Sequence, residues 1–209
     1  MRLLIIVAVD READAFRSIS DAVVVAGGVG RTNAAVATTR SILEEGPFDA
    51  VLSMGIAGSL PGRDCSIGDV VVGSRAVYFE EGIETPEGFS DLASLGFPLG
   101  DFEGNEVPAD PALLDRLKGL GILAPIATVA TCSGTDRAAG IVAQRTGAVA
   151  EAMEGAAVLH AARVLGVPSL ELRVISNTTG NRDEQVWDLP RAFEALSDLA
   201  AALALHTTD

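Results

Sequence analysis

The stretch Leu3-Leu4-Ile5-Ile6-Val7-Ala8-Val9, followed at once by Asp10-Arg11-Glu12, decides the fold. Seven consecutive apolar residues leave no polar face, so the strand they form must be buried on both sides. Such strands belong to largely parallel sheets covered by helices. The run falls well short of the roughly 18 residues a membrane span needs. The charged triplet after it replaces the small-residue cleavage site that a secretory signal requires. Similar runs recur at Ala22–Ala26, Ala50–Met54, Val70–Val72, Ile122–Val129 and Ser169–Ile175, with a short strand at Ala148–Ala150. Amphipathic stretches lie between them, at Arg11–Ser18, Thr32–Glu45, Pro111–Gly119, Asp136–Arg145, Met153–Leu165 and Pro190–His206. Pro111 and Pro190 suit first-turn positions, and Gly46, Gly119 and Gly166 suit helix stops. This alternation predicts an α/β domain of three layers, with a central sheet flanked by helices. A chain of 209 residues, 48% of them hydrophobic, is expected to form a single domain over 1–209.

Charge narrows the partners. The chain has 29 acidic and 15 basic side chains, a formal charge of −14. Nucleic acid and anionic membrane both want basic patches, so neither is expected as a partner. Cys65 and Cys132 stand 67 positions apart with no CxxC or Cys/His cluster, so neither a zinc site nor a disulfide is expected. A soluble cytoplasmic protein follows. The segment 76–115 stands out, with ten acids and no basic residue. It reads as a loop-rich, solvated excursion from the sheet.

Chemistry concentrates where apolar strands give way to polar or small residues. Gly27-Gly28-Val29-Gly30 joins a strand to a helix, but Asn33 stands where a dinucleotide fingerprint needs its third glycine, and no Gly-Lys-Ser/Thr follows. What remains is a tight turn whose backbone approaches another group. Gly55-Ile56-Ala57-Gly58 follows another strand and offers backbone N–H groups at the edge where α/β sheets bind ligands. Glu12, just past the first strand, reads either as a surface glutamate favouring the helix dipole or as a carboxylate placed to hold a water. In Glu151-Ala152-Met153-Glu154-Gly155-Ala156-Ala157, Glu154 opens an otherwise apolar helix and can accept two hydrogen bonds from a ribose diol. Met153 offers an apolar surface under the sugar. Ser176 and Asn177 end the last long strand, and Thr178-Thr179-Gly180-Asn181-Arg182-Asp183 follows. Trp187 reads as a packing residue, and His160 and His206 as structural.

In this order the motifs resemble the nucleoside phosphorylase and nucleosidase superfamily, nearly end to end. They are Glu12 after the first strand, 27–30, 55–58, Ile67-Gly68-Asp69-Val70-Val71-Val72, Met153-Glu154, and Val167-Pro168 before Arg173-Val174-Ile175-Ser176-Asn177. The resemblance implies an α/β sandwich around a mixed, mostly parallel, strongly curved sheet, and a homo-oligomer. Over the N-terminal half the chain is similar to 5′-methylthioadenosine nucleosidases, which carry Asp where this chain has Asn177. The combination Met153-Glu154-Gly155-Ala156-Ala157, Glu171-Leu172-Arg173, Ile175-Ser176-Asn177 and Gly180-Asn181-Arg182-Asp183 before Trp187-Asp188 is similar to the futalosine hydrolases. These enzymes of the alternative menaquinone pathway release hypoxanthine from futalosine.

The resemblance implies roles. Glu12 activates the attacking water as general base. Glu154 holds the ribose hydroxyls and stabilises the flattening, cationic sugar, and Met153 packs on it. Ala57 and Gly58 bring backbone close to the substrate, and Ser133, within Cys132–Gly134, lines the base pocket. Asn177 suits a 6-oxopurine, because an amide donates to O6 or N7 where a carboxylate would repel the oxygen. The proton for the leaving base comes from solvent or from a neighbour such as Asp183. Arg137 and Arg182 are candidates for a substrate carboxylate. No metal or organic cofactor is expected. Phosphate is disfavoured as nucleophile, because Ser53 and Ile56 stand where phosphorylases place an Arg and a Ser. Other readings are an adenine-specific nucleosidase, a phosphorylase, and a non-catalytic nucleoside-binding protein. The pair Glu12 and Glu154 argues against the last, since a binder has no use for a water-activating carboxylate.

Overall fold

The computed structural model describes residues 1–207, so the last two positions of the expected domain lie outside the described residues. The elements follow the predicted alternation. They are β1 (Leu3–Val7), α1 (Asp10–Phe16), β2 (Ala22–Ala26), α2 (Arg31–Glu45), β3 (Ala50–Ser59), β4 (Val70–Tyr78), β5 (Gly82–Thr85), β6 (Gly88–Asp91) and β7 (Glu106–Pro108). There follow α3 (Pro111–Leu117), β8 (Ile122–Thr128), α4 (Asp136–Thr146), β9 (Ala150–Ala152), α5 (Gly155–Val164), β10 (Ser169–Thr178) and α6 (Leu189–Thr207).

Alternate residues of β1 enter different cores, which is why its sequence has no polar face. Leu3, Ile5 and Val7 pack with Phe16 of α1 and with Leu196, Leu199 and Leu203 of α6. Leu4 and Ile6 point the other way, among Ala34 of α2 and Ala156, Val158 and Leu159 of α5. Helices therefore cover both faces. The sheet is mixed and mostly parallel, and it curves further than an open sandwich would. β10, β4, β8, β9 and β3 hydrogen-bond in a closed ring, with β1 and then β2 added in parallel outside β3. Within the ring, β10 to β4 and β3 to β9 are antiparallel.

Three differences from the sequence reading matter for the site. Gly55–Gly58 is not a turn after a strand, because β3 runs on to Ser59. Asn177, expected to end the last long strand, is the next-to-last residue of β10, and what the sequence did not show is a register shift in which Ile175 pairs with Ala57 and Asn177 with Gly58. The extra residue, Ser176, forms a bulge, a device that re-aims neighbouring side chains. Finally, the acidic segment is not all loop. Ala76–Tyr78 complete β4, and Val107 and Leu113 are buried. Between those anchors stand the β5–β6 hairpin and β7, neither of which the sequence reading found. Gly119 falls in a short 3-10 turn after α3 rather than at the helix stop. No helix among the described residues is long and apolar enough to cross a membrane.

Candidate active site

Glu12 is 3% exposed, so it is not a surface glutamate. Its Oε2 accepts from the N–H of Ala8 (2.9 Å) and Val9 (3.2 Å), and its Oε1 from the N–H of Ile56 (2.9 Å). Three of about four lone-pair positions are thereby used, and the carboxylate is held rigidly with one left to accept a water. Gly55 makes this possible. Its φ of +145° suits glycine, and a Cβ there would collide with the Glu12 carboxylate and lie 2.9 Å from Arg173 Nη1.

Glu154 caps α5 but makes no side-chain bond to that helix. It is 5% exposed, and its Oε1 accepts from the Gly30 N–H at 2.9 Å. The 27–30 turn thus approaches another group through its backbone, as its sequence suggested. Oε2 of Glu154 lies 3.3 Å from Arg173 Nη2.

Arg173 was not expected to act here. It is buried on β10, opposite Gly55 of β3, and Glu171 lies opposite Ser53. Its Nε donates to Glu171 Oε1 at 2.9 Å and its Nη2 to Ser53 Oγ at 3.1 Å. A cation therefore does reach Ser53, supplied by the neighbouring strand, which corrects the expectation of none. Burial acts against that charge, but Glu171, Glu154 and Glu12 outweigh it and hold Arg173 above its ordinary value. Burial pushes Glu171 up to about 7 despite Arg173, and its Oε2 has no hydrogen-bond partner among the described residues. A signal for this pair was present in the sequence. Two opposite charges two residues apart share one face of a strand, and no surface exists on either side of β10 for them to reach.

A second group surrounds a cavity of about 330 Å³ whose lining includes Gly58, Ser133, Glu151, Asn177, Arg182 and Trp187. The Asn177 amide is fixed by its neighbours, with Nδ2 donating to the Thr178 carbonyl at 2.9 Å and Oδ1 accepting from Ser176 Oγ at 2.8 Å. Ser176 Oγ also lies 3.2 Å from the Ala57 carbonyl oxygen. Trp187 is 46% exposed, with the Arg182 guanidinium 5.2 Å from its ring centroid, so it lines this cavity and is not a core packing residue. Met153 is partly buried, its sulfur 3.4 Å from the sulfur of Cys132, which lines the cavity.

Glu12 thus meets the 55–58 strand segment directly, Glu154 is linked to it through Arg173, which pairs with Gly55, and Ser133, Ser176 and Asn177 gather beside that segment, while Met153 touches Cys132. Asp183 does not join them. It is exposed on the turn Arg182–Glu184 and is absent from the cavity wall. Arg137 is also exposed, on the first turn of α4. A larger cavity, about 580 Å³, lies over the acidic segment between Tyr78, Phe89, Asp91 and Arg145, and contains none of the expected site residues.

Comparison with known proteins identifies the chain's relatives. The phosphorylase superfamily matches residues 16–207. A futalosine hydrolase of Streptomyces coelicolor is 37% identical over 187 residues, spanning 86% of this chain and 77% of the relative. One of Thermus thermophilus is 40% identical over 183 residues, spanning 84% and 76%. Among solved structures, a 5′-methylthioadenosine/S-adenosylhomocysteine nucleosidase of Neisseria meningitidis, in complex with methylthio-immucillin-A, shares the fold. Its TM-score is 0.79 at 20% identity, over 99% of this chain and 100% of that one. The chain belongs to the phosphorylase superfamily and, within it, to the futalosine hydrolase family.

Proposed function

We propose that this chain hydrolyses the N-glycosidic bond of futalosine, releasing hypoxanthine and dehypoxanthine futalosine in the menaquinone pathway. The observation that carries the reading is the place of Asn177, an amide at a β-bulge on the wall of the base-sized cavity. Glu12 lies next to the Arg173 and Glu154 cluster. The 37–40% identity to curated futalosine hydrolases supports the same substrate.

In this reading the purine enters the cavity and its ribose lies over Met153, with the sugar hydroxyls on Glu154. Glu12 orients a water below the anomeric carbon and takes its proton. As the bond to the base lengthens, the sugar flattens toward an oxocarbenium ion. The carboxylates of Glu12 and Glu154 stabilise that charge without needing to reorganise, because backbone N–H groups and Arg173 already hold them. The base departs with negative charge, and Asn177 donates to O6 or N7. Solvent supplies its proton; the exposed position of Asp183 gives that residue little access. Three carboxylates surround the one guanidinium, so the cluster repels a phosphate dianion and tolerates a neutral water. The reading extends to a single domain over 1–209, a three-layer sandwich whose central sheet has curled shut, working as a cytoplasmic homo-oligomer.

A substrate panel tests it. Futalosine, its 6-amino analogue and methylthioadenosine are offered at equal concentration in phosphate-free buffer. The highest kcat/KM should be on futalosine. A preference for either adenine nucleoside would overturn the assignment.

A further inference from the structure

One buried titratable group on the cavity wall is left unused by this mechanism. Glu151 is 5% exposed, at the centre of the three-residue strand β9. It pairs with Gly58 of β3, and Gly58 pairs on its other side with Asn177 of β10. Glu151, Gly58 and Asn177 therefore form one row across three adjacent strands. At the usual spacing of about 4.8 Å per strand, the two outer backbones are roughly 10 Å apart. The middle position has no side chain, and a Cβ there would come 3.1 Å from Asn177 Nδ2. The row is a slot with an amide at one end and a carboxylate at the other.

The carboxylate is fixed but not saturated. Oε1 accepts from the Ser133 N–H at 2.7 Å and Oε2 from the Ser133 hydroxyl at 2.6 Å. An ionised carboxylate has about four acceptor positions, so two remain. Burial pushes Glu151 above its ordinary value, and the two Ser133 bonds pull the other way. A further donor would complete the set.

A 6-oxopurine offers that donor. Along one edge it presents N7, the O6 acceptor and then the N1–H donor, a span that two hydrogen bonds extend to roughly the width of the slot. We infer that Glu151 is a specificity-determining residue that accepts the N1–H of a 6-oxopurine while Asn177 serves its O6/N7 side. Adenine has a lone pair at N1, which a carboxylate repels. The inference deepens the proposed function and rests on its placing the base in this cavity.

The test is calorimetric titration of the free bases hypoxanthine, 1-methylhypoxanthine and adenine into the wild-type chain and into Glu151→Gln. The wild type should favour hypoxanthine over both other bases by roughly 10- to 150-fold, the range for a hydrogen bond to a charged group. In Glu151→Gln the preference over adenine should fall to what Asn177 alone supplies, because the amide at 151 accepts or donates with equal ease. A wild-type ratio near one, or a variant that keeps the wild-type ratio, overturns the inference. Should Glu151→Gln fail to fold, Glu151→Asp, which withdraws the carboxylate by one methylene, is read in the same way. Base binding needs no turnover, so the two claims fail separately. Futalosine hydrolysis with unmoved ratios refutes the role of Glu151 alone. Base preference through Glu151 without hydrolysis refutes the activity alone.

Discussion

At the scale of single residues, the site sets two carboxylates that accept from backbone N–H groups beside one amide held by the Ser176 hydroxyl and the Thr178 carbonyl. Glu12 accepts three backbone N–H groups, and its remaining acceptor position suits a water. Glu12→Gln should therefore lower kcat by roughly 10²–10⁴ with little change in KM, measured by steady-state kinetics on futalosine. A loss confined to KM would contradict the general-base role. Asn177→Asp should lose far more rate on futalosine than on its 6-amino analogue, because the new carboxylate faces O6. Equal losses would remove Asn177 from base selection. Glu12, Glu154 and Asn177 could be singled out as candidates because each lies where an apolar strand or helix begins or ends. Trp187 was misread, since an isolated tryptophan in sequence carries no sign of whether its ring is covered.

At the scale of elements, β10 does the most. It brings Glu171 and Arg173 against Ser53 and Gly55 of β3, and its bulge at Ser176 brings Asn177 level with Gly58. The strand was legible from its Val, Ile and Leu content, but the pairing that gives its charges their partners was not. Register between β10 and β3 joins positions about 120 residues apart. Glu171 gives a measurable consequence. Its folded value, about 7, lies above the ordinary 4.5, so the native state binds its proton more tightly than the unfolded chain does. Its contribution to stability is full below about 4.5 and is lost as pH rises through about 7. Urea denaturation across that window should show the wild type losing stability relative to Glu171→Gln, by up to about 1.4 kcal/mol per pH unit. A difference between the two that stays flat with pH would refute the burial of an ionisable carboxyl there. Gly55→Ala should also be severe. Its side chain would enter the space of the Glu12 carboxylate at a φ of +145°, costing about 1–3 kcal/mol in backbone strain alone. Activity should fall with it, as read by kcat and by thermal unfolding together, and a variant with wild-type rate would contradict the packing described.

At the scale of the molecule, the charge asymmetry acquires a structural meaning. Five of the ten acids of segment 76–115 pair with arginines. Glu80 and Glu81 pair with Arg31, Glu84 with Arg145, Asp101 with Arg163 and Glu106 with Arg75. Arginines from outside the segment tie the hairpin and its flanks to α2, α4, α5 and β4. Each such exposed pair contributes about 0.2–1 kcal/mol. Composition revealed the charge imbalance but not these partners, which only the fold brings together. The closed ring was hidden for a similar reason: apolar runs identify strands, while closure depends on β10 reaching both β3 and β4. In the proposed mechanism this ring places a water, and not phosphate, against the glycosidic bond of futalosine. The decisive measurement is mass spectrometry of the products formed in ¹⁸O-labelled water with phosphate present. It should find free hypoxanthine and dehypoxanthine futalosine carrying one ¹⁸O on its sugar; a phosphorylated sugar, or no hypoxanthine at all, would refute the mechanism.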